Sequence, residues 1–167
     1  MEQAQESTQE EPTGSLAYPW YIVSLCMLAY IFSFIDRQVI SLLVDPIRAD
    51  LQISDTQFSL LHGLAFAMLY AVAGIPIARL ADSRSRPLII SVGIFVWSLA
   101  TAACGLAKSF LQLFAARMAV GVGEAALSPA AYSMITDSFP KSKLGIALGV
   151  YSSGSFLGGG LAYIIGG

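Results

Sequence analysis

Charge is what this sequence has least of. Of its 167 residues only 12% are Asp, Glu, Lys or Arg, against 56% hydrophobic, where an average soluble domain carries about 25% charged residues. That balance suits a chain whose solvent is lipid. Nine Lys plus Arg against eleven Asp plus Glu leave a formal charge of -2, so no basic surface is available for nucleic acid. Histidine occurs once, and the two cysteines, Cys26 and Cys104, lie in separate apolar runs at no metal-ligand or redox spacing; they read as buried small hydrophobes. There is no serine hydrolase elbow and no phosphate loop, and Gly158-Gly159-Gly160 lies inside an apolar run without a preceding strand, so it is no dinucleotide fingerprint. Neither an enzyme nor a bound cofactor or metal is expected.

What is present is a series of long apolar runs. Residues 12–35, 56–78, 87–107 and 144–167 contain no charged side chain, and residues 109–136 contain only Arg117 and Glu124. Each can cross a hydrocarbon core about 30 Å thick. The fold class expected is all-α: a polytopic membrane helix bundle with helices near 18–44, 55–79, 87–107, 109–137 and 144–166. A tail over 1–17 precedes it, acidic through Glu2, Glu6, Glu10 and Glu11 and free of Lys and Arg. That is the reverse of a signal-peptide n-region, and the tail reads as a disordered cytoplasmic leader.

The connections carry turn and cap chemistry. Asp45-Pro46 reads as the end of the first span, and Ser54 with Gln57 as a capping box that starts the second. Ser109 with Gln112 repeats that pattern, leaving a tight turn at Ala107-Lys108. Arg79, Arg84, Arg86, Lys141 and Lys143 fall in the loops after spans two and four, whereas Arg48 and Lys108 fall on the other side. Cytoplasmic loops retain basic residues, so the N-terminus is expected in the cytoplasm. Gly145 with Gly149 and Gly154 with Gly158 are small-xxx-small pairs suited to close helix approach. Pro76 and Pro129 interrupt the amide ladder near the inner ends of spans two and four and are places for a bend.

The charges inside the spans are the functional candidates, because each costs about 2.5–3.5 kcal/mol at a helix centre unless it finds a partner or water. At about 1.5 Å per residue, Asp36 and Arg117 both lie about 12 Å below the outer ends of their helices, level enough for an ion pair. Glu124 follows Arg117 by two turns on one face, with Gly121 between them, and that face is expected to line a polar cavity. Such a carboxylate can carry a proton; the alternative is a static network that fixes helix packing. Arg37, about 100° around the helix from Asp36, reads as a contact on the outer cavity wall or a snorkelling side chain. His62 enters as a second possible cavity residue, or simply a satisfied polar one.

These residues resemble the major facilitator superfamily, and within it the Spinster-like branch, from Trp20 onward. Phe34-Ile35-Asp36-Arg37 is similar to the Asp-Arg pair in the first helix of Spinster-like and anion:cation symporter branches. The run from Ala78 to Arg86 resembles the superfamily's loop between helices two and three: Asp82 and Arg86 match its key charges, while Ala78 and Ser85 stand where glycines are usual. Arg117-Met118-Ala119-Val120-Gly121-Val122-Gly123-Glu124-Ala125 is similar to the fourth-helix motif of proton-linked members, and Gly154-Ser155-Phe156-Leu157-Gly158-Gly159 to the fifth-helix antiporter motif, with Ser155 in place of its proline.

The resemblance implies the first five helices of a six-helix half, with the sixth helix and a second half to complete a transporter that rocks around a midplane site. It implies coupling and cavity roles for Asp36, Arg117 and Glu124, gating at Asp82 and Arg86, and helix packing at Gly121, Gly123, Gly154 and Gly158. The partners implied are the lipid bilayer, a small-molecule or lipid substrate and the missing second half, with no nucleic acid, in a multi-pass protein of a bacterial inner (plasma) membrane. Exchange and cotransport both remain open at Ser155. A truncated, non-transporting protein that scaffolds a partner through uncovered helix faces is the other function class.

Overall fold

A computed structural model describes residues 15–166. The acidic leader therefore lies, over residues 1–14, outside the described residues, as does the side chain of Asp82. Among the described residues every regular element is helical, and five helical stretches are long and apolar enough to cross a membrane. The all-α bundle expected from the apolar runs is what forms.

The first span is α1 (Ala17–Leu42), which carries Pro19 in its opening turn, where the missing N–H removes no ladder bond. The structure corrects the reading of Asp45-Pro46 as a terminator. A proline ring clashes with the carbonyl four residues back, here Leu42, so α1 stops there. The chain bends at Leu43, and Asp45-Pro46 sits in the first turn of a separate short helix, α2 (Val44–Leu51). Gln52, in the left-handed conformation at φ 51°, closes α2.

The second span begins with α3 (Asp55–Ser59), where Ser54 and Gln57 form both halves of a capping box. It continues through a π-helical segment, Leu60–Ala65, into α4 (Phe66–Ser83), which runs unbroken past Pro76. The third span is α5 (Arg86–Gly105). At the start of the fourth, α6 (Phe110–Glu124), Ser109 caps Gln112, but the Gln112 side chain accepts from the Lys108 N–H instead of completing a box. Pro129 leaves the carbonyl of Ala125 without its usual donor, and the fourth span breaks at Ala125-Ala126 before resuming as α7 (Leu127–Ser138). The last span is α8 (Lys141–Gly166).

Packing is dominated by three pairings: α1 with α8, α5 with α6, and α4 with α6. Glycines make two of the approaches close. A Cβ at Gly158 would lie 2.5 Å from the Ile31 carbonyl oxygen of α1, and one at Gly123 2.6 Å from the Trp97 amide of α5. Gly154 also faces α1, at Met27. Gly145 and Gly149 differ from their reading as a packing pair, since a Cβ at either meets nothing within 4 Å. Burial concentrates on the fourth span, whose residues are covered far more completely than those of the other four. That is where the charged residues lie.

Candidate functional site

Two ion pairs connect α1 with α6. Arg117 donates from Nη1 to Asp36 Oδ2 at 3.1 Å, and Thr101 of α5 donates to the other carboxylate oxygen of Asp36, also at 3.1 Å. Nearer the break at Ala125, Glu124 accepts from Arg37 Nη2 at 2.6 Å and Nε at 2.7 Å, and from Ser33 Oγ at 2.6 Å. Ser33 and Arg37 are four residues apart and share a face of α1. Arg side chains tilt toward the N-terminus of their own helix, so Arg37 reaches along α1 toward Ser33 and meets the same carboxylate.

Arg117 and Glu124 therefore do not answer each other, although both lie on one helix and both are buried, at 2% and 1% exposure. Each is neutralised by a different residue of the Asp36-Arg37 dipeptide. Arg37 is neither a snorkelling side chain nor a wall contact alone: it is the partner of Glu124. Its guanidinium is also stacked among three rings, 4.6 Å from the centroid of Phe66, 5.2 Å from Phe34 and 5.3 Å from Tyr70. The Phe66 ring serves Arg117 too, at 5.7 Å. One aromatic ring thus presents negative quadrupole to two cations that would otherwise repel.

The placement of Phe66 has a local cause. It is the first residue after the π segment, and its carbonyl would lie 2.7 Å from a Cβ at Gly121. Only a glycine lets α6 approach there. Phe66, Tyr70, Ser33 and Thr101 carry no sequence signal of their own. Ser33 alone was discoverable, from its i, i+4 relation to Arg37.

A cavity of about 290 Å³ opens beside these pairs, lined by Phe34, Arg37, Gln38, His62, Phe66 and Arg117. Its lining presents cationic groups: two guanidinium groups, each paired with a carboxylate outside the lining, and an imidazole face it and, among the described residues, no carboxylate does. His62 is exposed and lies 3.4 Å from Ser41 Oγ through Nδ1. Beyond Arg117, on the α2 side, a second cavity of about 340 Å³ is lined by Asp36, Thr101 and Cys104 among others. Within the two ion pairs, Glu124 Oε1 and Arg117 Nε are buried without a hydrogen-bond partner among the described residues.

At the opposite end of the bundle, Arg86, in the first turn of α5, forms an ion pair with Asp137 near the end of α7. Asp137 was not singled out from the sequence. The pair ties the ends of the third and fourth spans together. No group of three or more His, Cys, Asp or Glu residues able to hold a metal occurs among the described residues.

Comparison with known proteins gives this geometry a context. Residues 26–167 match the family described as the Major Facilitator Superfamily. A protein named MFS-type efflux pump from Mycolicibacterium smegmatis is 34% identical over 149 residues, which cover 85% of this chain and 35% of that protein. A probable L-galactonate transporter of Escherichia coli is 30% identical over 134 residues, 80% of this chain and 29% of the relative. Among solved structures, a bacterial homolog of the human lysosomal transporter Spinster, in an inward-facing and unoccupied conformation, superposes with a TM-score of 0.88 at 43% identity. That match covers 92% of this chain and 32% of the other. The chain thus spans about a third of the length of these relatives.

Proposed function

The chain belongs to the Major Facilitator Superfamily, within its Spinster-like branch, and from that premise we propose that it contributes to a proton-linked secondary transporter moving an amphiphilic lipid or small organic anion by alternating access. It is a multi-pass integral membrane protein. The loop charges support a cytoplasmic N-terminus, and the bacterial relatives support an inner-membrane setting.

The observation that carries the proposal is the double duty of Arg37, which lines the cationic cavity and at the same time holds Glu124. An anion that enters the cavity competes with Glu124 for this guanidinium. A carboxylate that loses its cation in a site shielded from water takes a proton more readily. Protonated Glu124 in turn releases Arg37 to the anion, so the two ligands help each other to bind, and linkage makes that help reciprocal. Phe34, Phe66 and Tyr70 hold the guanidinium in place through the exchange of partners, and Ser33 orients the carboxyl.

The same lining supports the substrate class. Two guanidinium groups favour carboxylate or phosphate, and the name of the L-galactonate relative gives a sugar acid as its cargo. The rings of Phe34 and Phe66 leave room for an apolar portion. The test is proton flux by the full-length protein in liposomes, measured on addition of a hexuronate or of a lysophospholipid. Proton movement that follows either anion and disappears in Arg37→Ala supports the reading, whereas anion uptake that leaves internal pH unchanged removes the proton-linked part.

A further inference from the structure

The end of the bundle that holds the start of α1 is basic. Arg79, Arg84, Arg86, Lys141 and Lys143 stand there against two acids, Asp82 and Asp137, and Asp137 is taken by Arg86. Lys141 and Lys143, where α8 begins, are exposed, and neither enters an ion pair among the described residues.

The chain reaches α1 beside these two lysines. Leu16, Trp20 and Leu144 all pack against the apolar cluster of Phe139, Ala147 and Tyr151, and the Trp20 ring meets that of Phe139 edge-on at 5.2 Å. Phe139 and Leu144 bracket Lys141 and Lys143 in the sequence. Residues 1–14, outside the described residues, therefore join the bundle next to the turn that carries both lysines. This leader has four glutamates, Glu2, Glu6, Glu10 and Glu11, and no Lys or Arg. Extended chain spans at most about 3.6 Å per residue, so Glu11 can reach roughly 18 Å from Leu16 and Glu6 roughly 36 Å. Either reach takes in a turn already packed beside Leu16 and Trp20. So short a tether keeps the glutamates at a millimolar effective concentration there. An anionic leaflet repels them, which leaves the basic end of the protein as the surface of opposite charge within reach.

We propose that the acidic leader docks on the end of α8, with Glu10 and Glu11 against Lys141 and Lys143. The contact is electrostatic and lies apart from the two buried ion pairs, so it stands or falls independently of anion binding and proton coupling. It occupies lysines that would otherwise collect anionic lipid headgroups. It also joins the start of α1 to the start of α8, two helices already held close at Gly154 and Gly158.

The test is zero-length crosslinking of the full-length protein in phosphatidylcholine nanodiscs. A water-soluble carbodiimide joins a carboxylate to an amine only where the two are in contact, and peptide mass spectrometry reads which glutamate is linked to which lysine. Links from Glu10 or Glu11 to Lys141 or Lys143 are expected, and none to Lys108 at the other end of the bundle. Lys143→Glu should lower the yield at Lys141 roughly fivefold, as the loss of exposed pairs of modest strength implies. Salt at about 1 M, where the screening length falls to about 3 Å, should do the same. Exchanging the charges, with Glu10→Lys and Glu11→Lys beside Lys141→Glu and Lys143→Glu, should restore the links with amine and carboxylate reversed. No links to Lys141 or Lys143, links spread over lysines elsewhere, or yields indifferent to Lys143→Glu and to salt would each overturn the proposal. So would phosphatidylglycerol raising the thermal midpoint through Lys141 and Lys143 equally with and without residues 2–11, because the lysines would then belong to lipid headgroups.

Discussion

Replacing Glu124 by Gln and Asp36 by Asn removes one negative charge from each of two neighbouring pairs, yet the structure sets different consequences for the two. Asp36→Asn leaves Arg117 with 2% exposure and no counterion. Breaking a buried pair from one side costs about 3–5 kcal/mol, and a single ring contact, Phe66 at 5.7 Å, offsets little of it. Glu124→Gln leaves Arg37 at 27% exposure, inside three aromatic contacts each worth about 0.5–2 kcal/mol, and the new amide oxygen still accepts from Ser33. The expected loss is about 1–2 kcal/mol after allowance for that partial exposure. In the full-length protein, a thermal-unfolding assay in detergent should therefore place Asp36→Asn well below Glu124→Gln, with Glu124→Gln close to the parent. In liposomes, Glu124→Gln should abolish uphill uptake driven by a proton gradient while exchange of labelled for unlabelled anion continues. Normal uphill accumulation by Glu124→Gln would refute the coupling argument and leave the pairs as a static clamp.

Three further outcomes follow from the packing and the charges. Phe66→Leu removes the ring shared by two cations and should lower the thermal midpoint and weaken anion binding, with Phe66→Tyr restoring both; equal behaviour of the two variants would discount the cation contacts. Gly158→Ala forces a methyl to 2.5 Å from the Ile31 carbonyl oxygen and should cost about 1–3 kcal/mol through overpacking, whereas Gly145→Ala, in open space, should be neutral or gain up to about 1 kcal/mol of helix propensity; the thermal-shift difference between the two alanines is the measurement. A single cysteine at Ser85 should react with an impermeant maleimide only from the cytoplasm and one at Gln52 only from outside, and the reverse pattern would invert the orientation.

The spans were legible because lipid permits few alternatives: a run of about twenty uncharged residues has to close its own amide ladder, and the helix does so. The level of Asp36 with Arg117 was legible for a related reason, since counting about 1.5 Å per residue from two helix ends fixes depth. The Arg37–Glu124 pair was not. A helical wheel gives the direction of a Cβ, but a guanidinium sits several bonds further out and follows the tilt of the side chain toward Ser33. Nor was α2 legible, because Asp45-Pro46 fits the end of one helix and the first turn of the next equally well. The break at Ala125-Ala126 was displaced toward the N-terminus from Pro129 for the reason that a proline acts on the carbonyl before it, not on itself.

The π segment at Leu60–Ala65 changes how the second span should be compared with anything else. A π turn is an α-helix that has accepted one residue more than its pitch allows, so every position beyond it is rotated by about 100° relative to a continuous helix. Residues 55–59 and 66–83 therefore keep two different phases on one rod. A hydrophobic wheel drawn through the whole span averages them and hides the polar-facing side. Deleting a single residue between 60 and 65 would remove the bulge and leave Phe66 and Tyr70 facing Arg37, whereas rewinding the segment as plain α-helix at its present length would swing both about a quarter turn away. The π turn is thus a phase setting, and the aromatic seat of Arg37 depends on it more than on the identity of any residue within the segment.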